Sequence, residues 1–407
     1  MTRGYKVSLL TALYFAQGLP FGFFTQTLPV LLRDAGLSLK AISALSLIAV
    51  PWALKFLWAP FVDHRGTRRA WLLPLQLAGV MAALVLAGID LEKGLAIVLV
   101  AAFAFNLVAA CQDIATDGLA VRILEPQERG LGNAIQVGAY RLGMIFGGGL
   151  LLWVFAKTGW DVMFLCMAAL LAVTVLPVLA LQEPPGEPSL VRITGRELLA
   201  GWITRLATPG FAFFALLVCC YKFGDTMVAT LIGPFMRDHG LSKETIAVLK
   251  GAIGSVTSLL GAALGGWFAF TIGRRAALLT CGLLQTASLV FYVAAALNGG
   301  GTGLIWAGNI AEHLFGGMAT VAVFTLMMDA SDPQHASTDY TLLASAIVIT
   351  AAVANFVAAA VADAAGYGAT FMTGMIVSAI GCVLLVRAVD SGHGPARLRI
   401  VWRRAAA

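Results

Sequence analysis

Residues Ala109 to Glu125 read AACQDIATDGLAVRILE and follow the almost wholly apolar run LAIVLVAAFAFNLV at 95–108. Two aspartates, Asp113 and Asp117, thus stand in a segment suited to hydrocarbon. Residues four apart share one face of a helix, so both carboxylates point the same way. Ionised groups inside a membrane are costly and face a bundle interior or a wet cavity. The segment therefore reads as one helix of a bundle, and the rest of the chain is the setting for its buried charges.

That setting is apolar throughout. Of 407 residues 59% are hydrophobic and 12% charged, with a mean hydropathy of +0.87. A soluble domain carries roughly a quarter charged residues. A spanning helix needs about 20 apolar residues, and such segments are predicted at 8–32, 40–62, 70–90, 94–122, 132–156 and 161–181, then at 208–236, 245–270, 275–297, 301–328, 338–364 and 367–389. Strands of a membrane barrel would be shorter and would alternate apolar with polar residues. The expected fold is an all-α membrane protein of about twelve spanning helices. The first segment is too long for a signal peptide and lacks a small-residue cleavage site, so it reads as a retained helix.

The polar break 182–207 separates a first six-helix bundle, 1–181, from a second, 208–390, and a basic tail follows at 391–407. The break opens with Glu183-Pro184-Pro185-Gly186-Glu187-Pro188, which ends the sixth helix. Its later part, GRELLAGWITRL, has the pattern of an amphipathic helix on the membrane surface. With the N-terminus inside, the inner side carries Arg3, Lys6, Arg65, Arg68, Arg69, Arg122, Arg129, Arg192, Arg196, Arg205, Arg274, Arg275 and the tail arginines. The outer side carries Arg33, Lys40, Lys93, Lys157, Arg237 and Lys243. This asymmetry predicts both termini in the cytoplasm. The net charge of +6 is therefore a topology signal, and no nucleic-acid partner is expected. Cys111, Cys166, Cys219, Cys220, Cys281 and Cys382 all fall in apolar stretches without metal-site spacing, and read as small buried hydrophobes. No metal and no cofactor are expected.

An internal repeat follows. Asp63-His64-Arg65-Gly66-Thr67-Arg68-Arg69 lies between helices two and three, and Gly266 to Arg275, GWFAFTIGRR, between helices eight and nine. Both end in a glycine followed closely by paired arginines. Two six-helix halves joined by a cytoplasmic linker form the parallel-repeat pattern of a secondary transporter. These loops resemble the signature of the major facilitator superfamily, G-x-x-x-D-[RK]-x-G-[RK]-[RK]. The second copy has Phe270 where the acid would be. The first keeps Asp63 and Gly66, has Ala59 for the first glycine, and gains one residue before its arginines. The resemblance implies that Asp63, Arg68 and Arg69, with Arg274 and Arg275, latch the cytoplasmic ends of helices.

Five further stretches resemble the AmpG-type branch of that superfamily. They are Tyr14-Phe15-Ala16-Gln17-Gly18-Leu19-Pro20, Pro51 to Pro60 (PWALKFLWAP), Gln112 to Asp117, Tyr221-Lys222-Phe223-Gly224-Asp225, and Ala311 to Met318 (AEHLFGGM). The branch includes muropeptide permeases, acetyl-CoA transporters and RhtX/FptX-type siderophore importers. The opening run YFAQGLPFGFFTQTLPVLLRDAGLSL is most similar to the last of these.

The buried charges supply candidate roles. Two carboxylates on one face suit a proton relay, which places Asp113 in proton coupling. Asp117, nearer the cytoplasmic end, can instead cap or latch helices with Arg122 or Arg129. Lys222 and Asp225 are three apart and close enough to pair; Asp225 would take up the proton and Lys222 would hold an anionic solute. Glu312, with Asn309 before it and Gly316-Gly317 after, is a lone carboxylate in mid-helix and a third coupling candidate. His313 points about 100° away from it on a helix and reads as a packing residue. Lys55 and Arg141 are intramembrane cations that need anionic partners, with Asp113 a candidate for either. Arg141 could also grip a substrate carboxylate. Tyr14, Gln17 and Gln26, on a first helix interrupted by Pro20 and Gly22, complete the candidate substrate set with Arg141, Lys222 and Asn309.

The expected activity is secondary transport in the bacterial inner membrane. There is no G-x-x-x-x-G-K-[ST] loop for ATP, and neither H-E-x-x-H nor G-x-S-x-G for a membrane enzyme. A channel would rest on a pore-lining selectivity element instead of two latch loops. The resemblance implies proton symport of an iron-siderophore, such as a pyochelin-like compound, by a monomer in the lipid bilayer. The alternative is a muropeptide permease of the AmpG type, which calls for a cavity rich in amides and Trp; the polar set looks small for that.

Overall fold

The computed structural model describes residues 1–34, 50–89, 95–183, 195–297 and 301–402. The start of the expected second segment (40–49), Lys40, Lys93, Arg192, the linker from 184 to 194 and the tail arginines 403 and 404 lie outside the described residues. So do the side chains of Arg196 and Lys243.

Every regular element among the described residues is helical. In order they are α1 (Arg3–Leu32), α2 (Val50–Leu54, then a turn Lys55–Leu57 and Ala59–His64), α3 (Arg68–Ala87), α4 (Leu95–Ile123), α5 (Arg129–Thr158), α6 (Trp160–Leu179) and α7 (Gly195–Leu206). Then come α8 (Phe211–Asp238), α9 (Glu244–Thr271), α10 (Gly273–Leu297), α11 (Thr302–Ala330), α12 (Ala336–Asp390) and α13 (Leu398–Trp402). Ten helices among the described residues are long and apolar enough to cross a membrane. The last of these turns at Gly366, where φ is 79°, a conformation open to glycine, and so carries two passes. The amphipathic pattern GRELLAGWITRL forms α7 over its full predicted length.

Local chemistry sets the interruptions. Thr67 caps α3 by accepting from the Ala70 amide at 3.2 Å. Pro51 and Pro60 bracket the break in α2, and Pro60 restarts the helix in its first turn. Downstream of Pro20, α1 widens into a π-helix at Phe23–Thr27.

The chain packs as two units. Unit 1 comprises Met1–Leu124, Gly138–Trp202 and Asp332–Thr341. Its core includes Leu19, Phe23, Phe24, Phe105, Leu151, Met163 and Phe164. Glycines bring α1 against α5: a Cβ on Gly18 would stand 1.9 Å from the Tyr140 carbonyl, and one on Gly147 1.9 Å from the Leu19 carbonyl. Gly18 of α1 and Gly147 of α5 thus serve close backbone contact, as small residues do between membrane helices. Unit 2 comprises Glu125–Val137, Ile203–Ser331 and Leu342–Ala407. Its core includes Met227, Ile232, Phe235, Tyr292, Ile305, Ala354 and Phe371. Here Gly261 of α9 meets the Leu314 carbonyl of α11, where a Cβ would come within 2.0 Å.

Candidate functional site

In unit 1 the break in α2 turns Lys55 toward α4. Lys55 is 4% exposed, and its ammonium pairs with the Asp113 carboxylate. A buried cation needs such a partner, because desolvation is repaid only by a close counter-charge. The same ammonium lies 5.4 Å from the centroid of the Trp52 ring. Trp52 donates from Nε1 to Asn106 Oδ1 at 3.3 Å, and its ring meets Phe21 at 5.9 Å and Tyr140 at 6.4 Å. Asp117 is buried one turn from Asp113 and accepts from the Tyr14 hydroxyl at 2.9 Å. Gln17 donates to Thr116 Oγ1 at 3.0 Å, while its own Oε1 has no hydrogen-bond partner among the described residues. Tyr14, Gln17, Lys55, Asp113 and Asp117 are thus brought together. Gln26 is not: it is exposed in the π-helix, against Gly148. Arg141 is half-buried on α5, while the partner it shared as a candidate, Asp113, is held by Lys55.

The loop between α2 and α3 in the same unit is built around Asp63. Its buried carboxylate accepts from Arg68 Nη2 at 2.5 Å, from the amides of Ser337 and Thr338 at 3.0 and 2.7 Å, and from the Thr338 hydroxyl at 2.6 Å. An acidic group at the start of α12 satisfies the free amides there and suits the helix dipole. Arg68 also donates to the Val62 carbonyl at 2.6 Å. Arg69 is exposed and donates to the Leu179 carbonyl at 3.0 Å.

Unit 2 answers the missing acid at Phe270 with a residue the sequence reading passed over. Asp329, at the end of α11, accepts from Arg129 Nη1 and Arg274 Nε, each at 2.7 Å. The suggested partnership of Arg129 with Asp117 is thus corrected: Arg129 binds Asp329. Arg274 also donates to the carbonyls of Ala269 and Pro126. Arg275 grips Asp390 with two nitrogens, at 2.7 and 2.8 Å, in a half-exposed pair. The arginine pair beside Phe270 signals that some carboxylate is owed there, but not that it is Asp329.

Deeper in unit 2, Lys222 and Asp225 pair at 2.9 Å, as their spacing predicts. Gln285, also passed over, donates from Nε2 to the other Asp225 oxygen. Asn309 is fully buried and donates to the Leu249 carbonyl at 2.8 Å, where α9 widens. His313 Nδ1 donates to the Asn309 carbonyl at 2.9 Å and lies 2.7 Å from Glu312 Oε2. The expected separation of His313 from Glu312 is therefore corrected: the imidazole bends back along the helix. The two still lack hydrogen-bond geometry, since Glu312 Oε2 has no hydrogen-bond partner among the described residues. No cluster of metal-binding side chains occurs among the described residues.

Carboxylates held by Lys, Arg and amides within a bundle of spanning helices are the chemistry of a membrane carrier. The Major Facilitator Superfamily profile matches residues 10–336 and, in a second match, 214–401. The chain belongs to the major facilitator superfamily. It is therefore a multi-pass membrane protein of a transporter family. Among curated relatives, the anhydromuropeptide permease of Escherichia coli K12 is 30% identical over 390 residues, which cover 94% of this chain and 79% of the relative. The putative transporter AmpG 4 of Rickettsia felis is 24% identical, with 84% and 86% covered. Among solved structures, the human organic anion transporter MFSD10 superposes with a TM-score of 0.76 at 16% identity, covering 95% of this chain and 100% of that one. The proton:xylose symporter XylE superposes with a TM-score of 0.74 at 12% identity, covering 99% and 100%. These two show the fold. The AmpG-type resemblance is supported by the relatives; the likeness to siderophore importers finds no support in them.

Proposed function

We propose that the chain is a proton-coupled permease that imports anhydromuropeptides, or closely similar sugar–peptide conjugates, across the bacterial inner membrane by alternating access. The observation that carries this reading is the 30% identity to the Escherichia coli permease across 94% of the chain. The chemistry of unit 1 agrees with it. Trp52, Tyr140 and Phe21 form one aromatic group, and rings of this kind cover the apolar faces of sugars. Gln17, Asn106 and Gln112 are buried amides on α1 and α4, suited to acetamido and peptide groups. The polar set is thus larger than the sequence alone suggested, which favours the muropeptide over the siderophore.

In this reading Asp113, Asp225 and Glu312 carry the protons. Lys55 releases or rebinds Asp113 as that carboxylate is neutralised, and Lys222 does the same for Asp225. Lys55, Lys222 and Arg141 are the cations available to a substrate carboxylate. Tyr14 and Gln17 hold α1 to α4 around the site. Asp63 with Arg68, and Asp329 with Arg129 and Arg274, are the cytoplasmic latches; Arg69 and Arg275 lie at their exposed edge. Both termini face the cytoplasm.

Uptake of a radiolabelled anhydromuropeptide into right-side-out vesicles tests this. Expression of the chain should raise uptake, and collapse of the pH gradient by a protonophore should abolish the increase. Uptake that survives the protonophore refutes proton coupling. Absence of uptake under an imposed gradient refutes the substrate.

A further inference from the structure

Unit 2 contains polar atoms that the roles above leave unused. Gln285 of α10 is 3% exposed. Its Nε2 serves Asp225, but its Oε1 is buried with no hydrogen-bond partner among the described residues. That side of the amide faces α11 at Gly316, where a Cβ would stand 3.0 Å from Oε1. Two turns earlier on α11, Gly308 meets Tyr292 of α10, with a Cβ 3.2 Å from the ring. Glu312 lies midway, about 6 Å along the axis from each, and residues four apart share a face. It therefore faces α10 between Tyr292 and Gln285. Glu312 Oε2 and the Tyr292 hydroxyl are also buried without hydrogen-bond partners among the described residues. Two orphan polar atoms, and a Glu312 Oε2 whose near neighbour is His313 Nδ1 at 2.7 Å, line one seam between α10 and α11, and the Lys222–Asp225 pair of α8 closes its end. Buried polar groups are costly unless paired, so such a row asks for a mobile partner.

We infer that Gln285 is a positioning residue that makes Asp225 and Glu312 share a single proton. An amide donates on one side and accepts on the other. In the first setting Asp225 is ionised and accepts from Lys222 and from Gln285 Nε2, the contacts the structure holds; Oε1, which faces α11, is then free to take a hydrogen bond from Glu312 once that carboxyl is protonated. In the opposite setting Asp225 carries the proton and donates it to Gln285 Oε1. The turned amide directs its N–H groups to an ionised Glu312. Passage between the settings moves one proton from Glu312 to Asp225 and turns one amide. Nothing else is gained or lost. Lys222 favours ionised Asp225. His313, when protonated, favours ionised Glu312. The hydroxyls of Tyr221 and Tyr292 are neutral in both settings. The device deepens the proton coupling proposed above and rests on it for its role in transport.

The test needs no substrate. Infrared difference titration of the purified protein in nanodiscs reads protonated carboxyl bands, and Glu312→Gln identifies the band of Glu312. Asp225→Asn should move the titration midpoint of Glu312 by at least about one pH unit, a tenfold change in proton affinity. On a Gln285→Leu background the same substitution should move it by less than about threefold, what direct charge effects leave once the amide is gone. Gln285→Met, which keeps the side-chain length, provides the same comparison if the leucine variant does not fold. An equal shift with glutamine and with leucine or methionine overturns the inference. Failure of the wild type to take up anhydromuropeptide would refute the transport reading and leave this titration decisive for the shared proton.

Discussion

Lys55 and Asp113 show what a single buried pair commits the chain to. Both side chains are almost fully enclosed, so neither is tolerable alone. Removing one partner of a buried pair costs about 3–5 kcal/mol, while replacing both by apolar groups is often neutral. Asp113→Asn should therefore lower the Tm of the purified protein by several degrees. Lys55→Met combined with Asp113→Leu should regain most of that loss while uptake stays abolished, a split between stability and transport that a purely structural pair would not give. The arginine sites should differ in the same way. Asp329→Asn strips both Arg129 and Arg274 inside the protein and should destabilise by about 3–5 kcal/mol. Asp390→Asn touches a half-exposed pair and should cost no more than about 1 kcal/mol; thermal denaturation of the two variants side by side makes the comparison. The Lys55–Asp113 and Lys222–Asp225 pairs were legible because a charge in hydrocarbon demands a partner nearby. Asp329 was not, because a carboxylate at a helix end is ordinary until the arginines folded onto it are seen.

At the scale of elements, apolar length is a strong signal and local packing a weak one. The spans begin and end close to where the hydropathy places them, as α4 at Leu95–Ile123 shows against the expected 94–122. The widened turns at Phe23–Thr27, Phe146–Leu150 and Val248–Ile253 were not legible. In unit 1 two of them coincide with the contact of α1 and α5, where Thr27 donates to the Gly147 carbonyl at 2.9 Å. Such a widening depends on a neighbour far away in sequence. The crossing itself can be tested. Gly18→Leu or Gly147→Leu forces a side chain into a backbone carbonyl of the other helix and should abolish monodisperse protein in size-exclusion chromatography. Gly149→Ala, where a Cβ meets nothing within 4 Å, should elute like the wild type. A normal profile for both leucine variants would show that α1 and α5 are not held at this distance.

At the scale of the whole molecule, the distribution of cations and the substrate reading bear on each other. The loops that carry Arg65, Arg68 and Arg69, and Arg274 and Arg275, hold the clasped carboxylates Asp63 and Asp329, and the proposed positive-inside orientation puts them on the cytoplasmic side. An importer must release its cargo on that side, so the clasps must open for release, and the orientation underlies the proposed direction of transport. Green fluorescent protein fused after Trp402 should fluoresce, and alkaline phosphatase fused at the same point should be inactive. Phosphatase fused after Thr158, at the far end of α5, should be active. The reverse pattern would put the clasps outside, and the same residues would then gate entry, so import as proposed would fail together with the orientation.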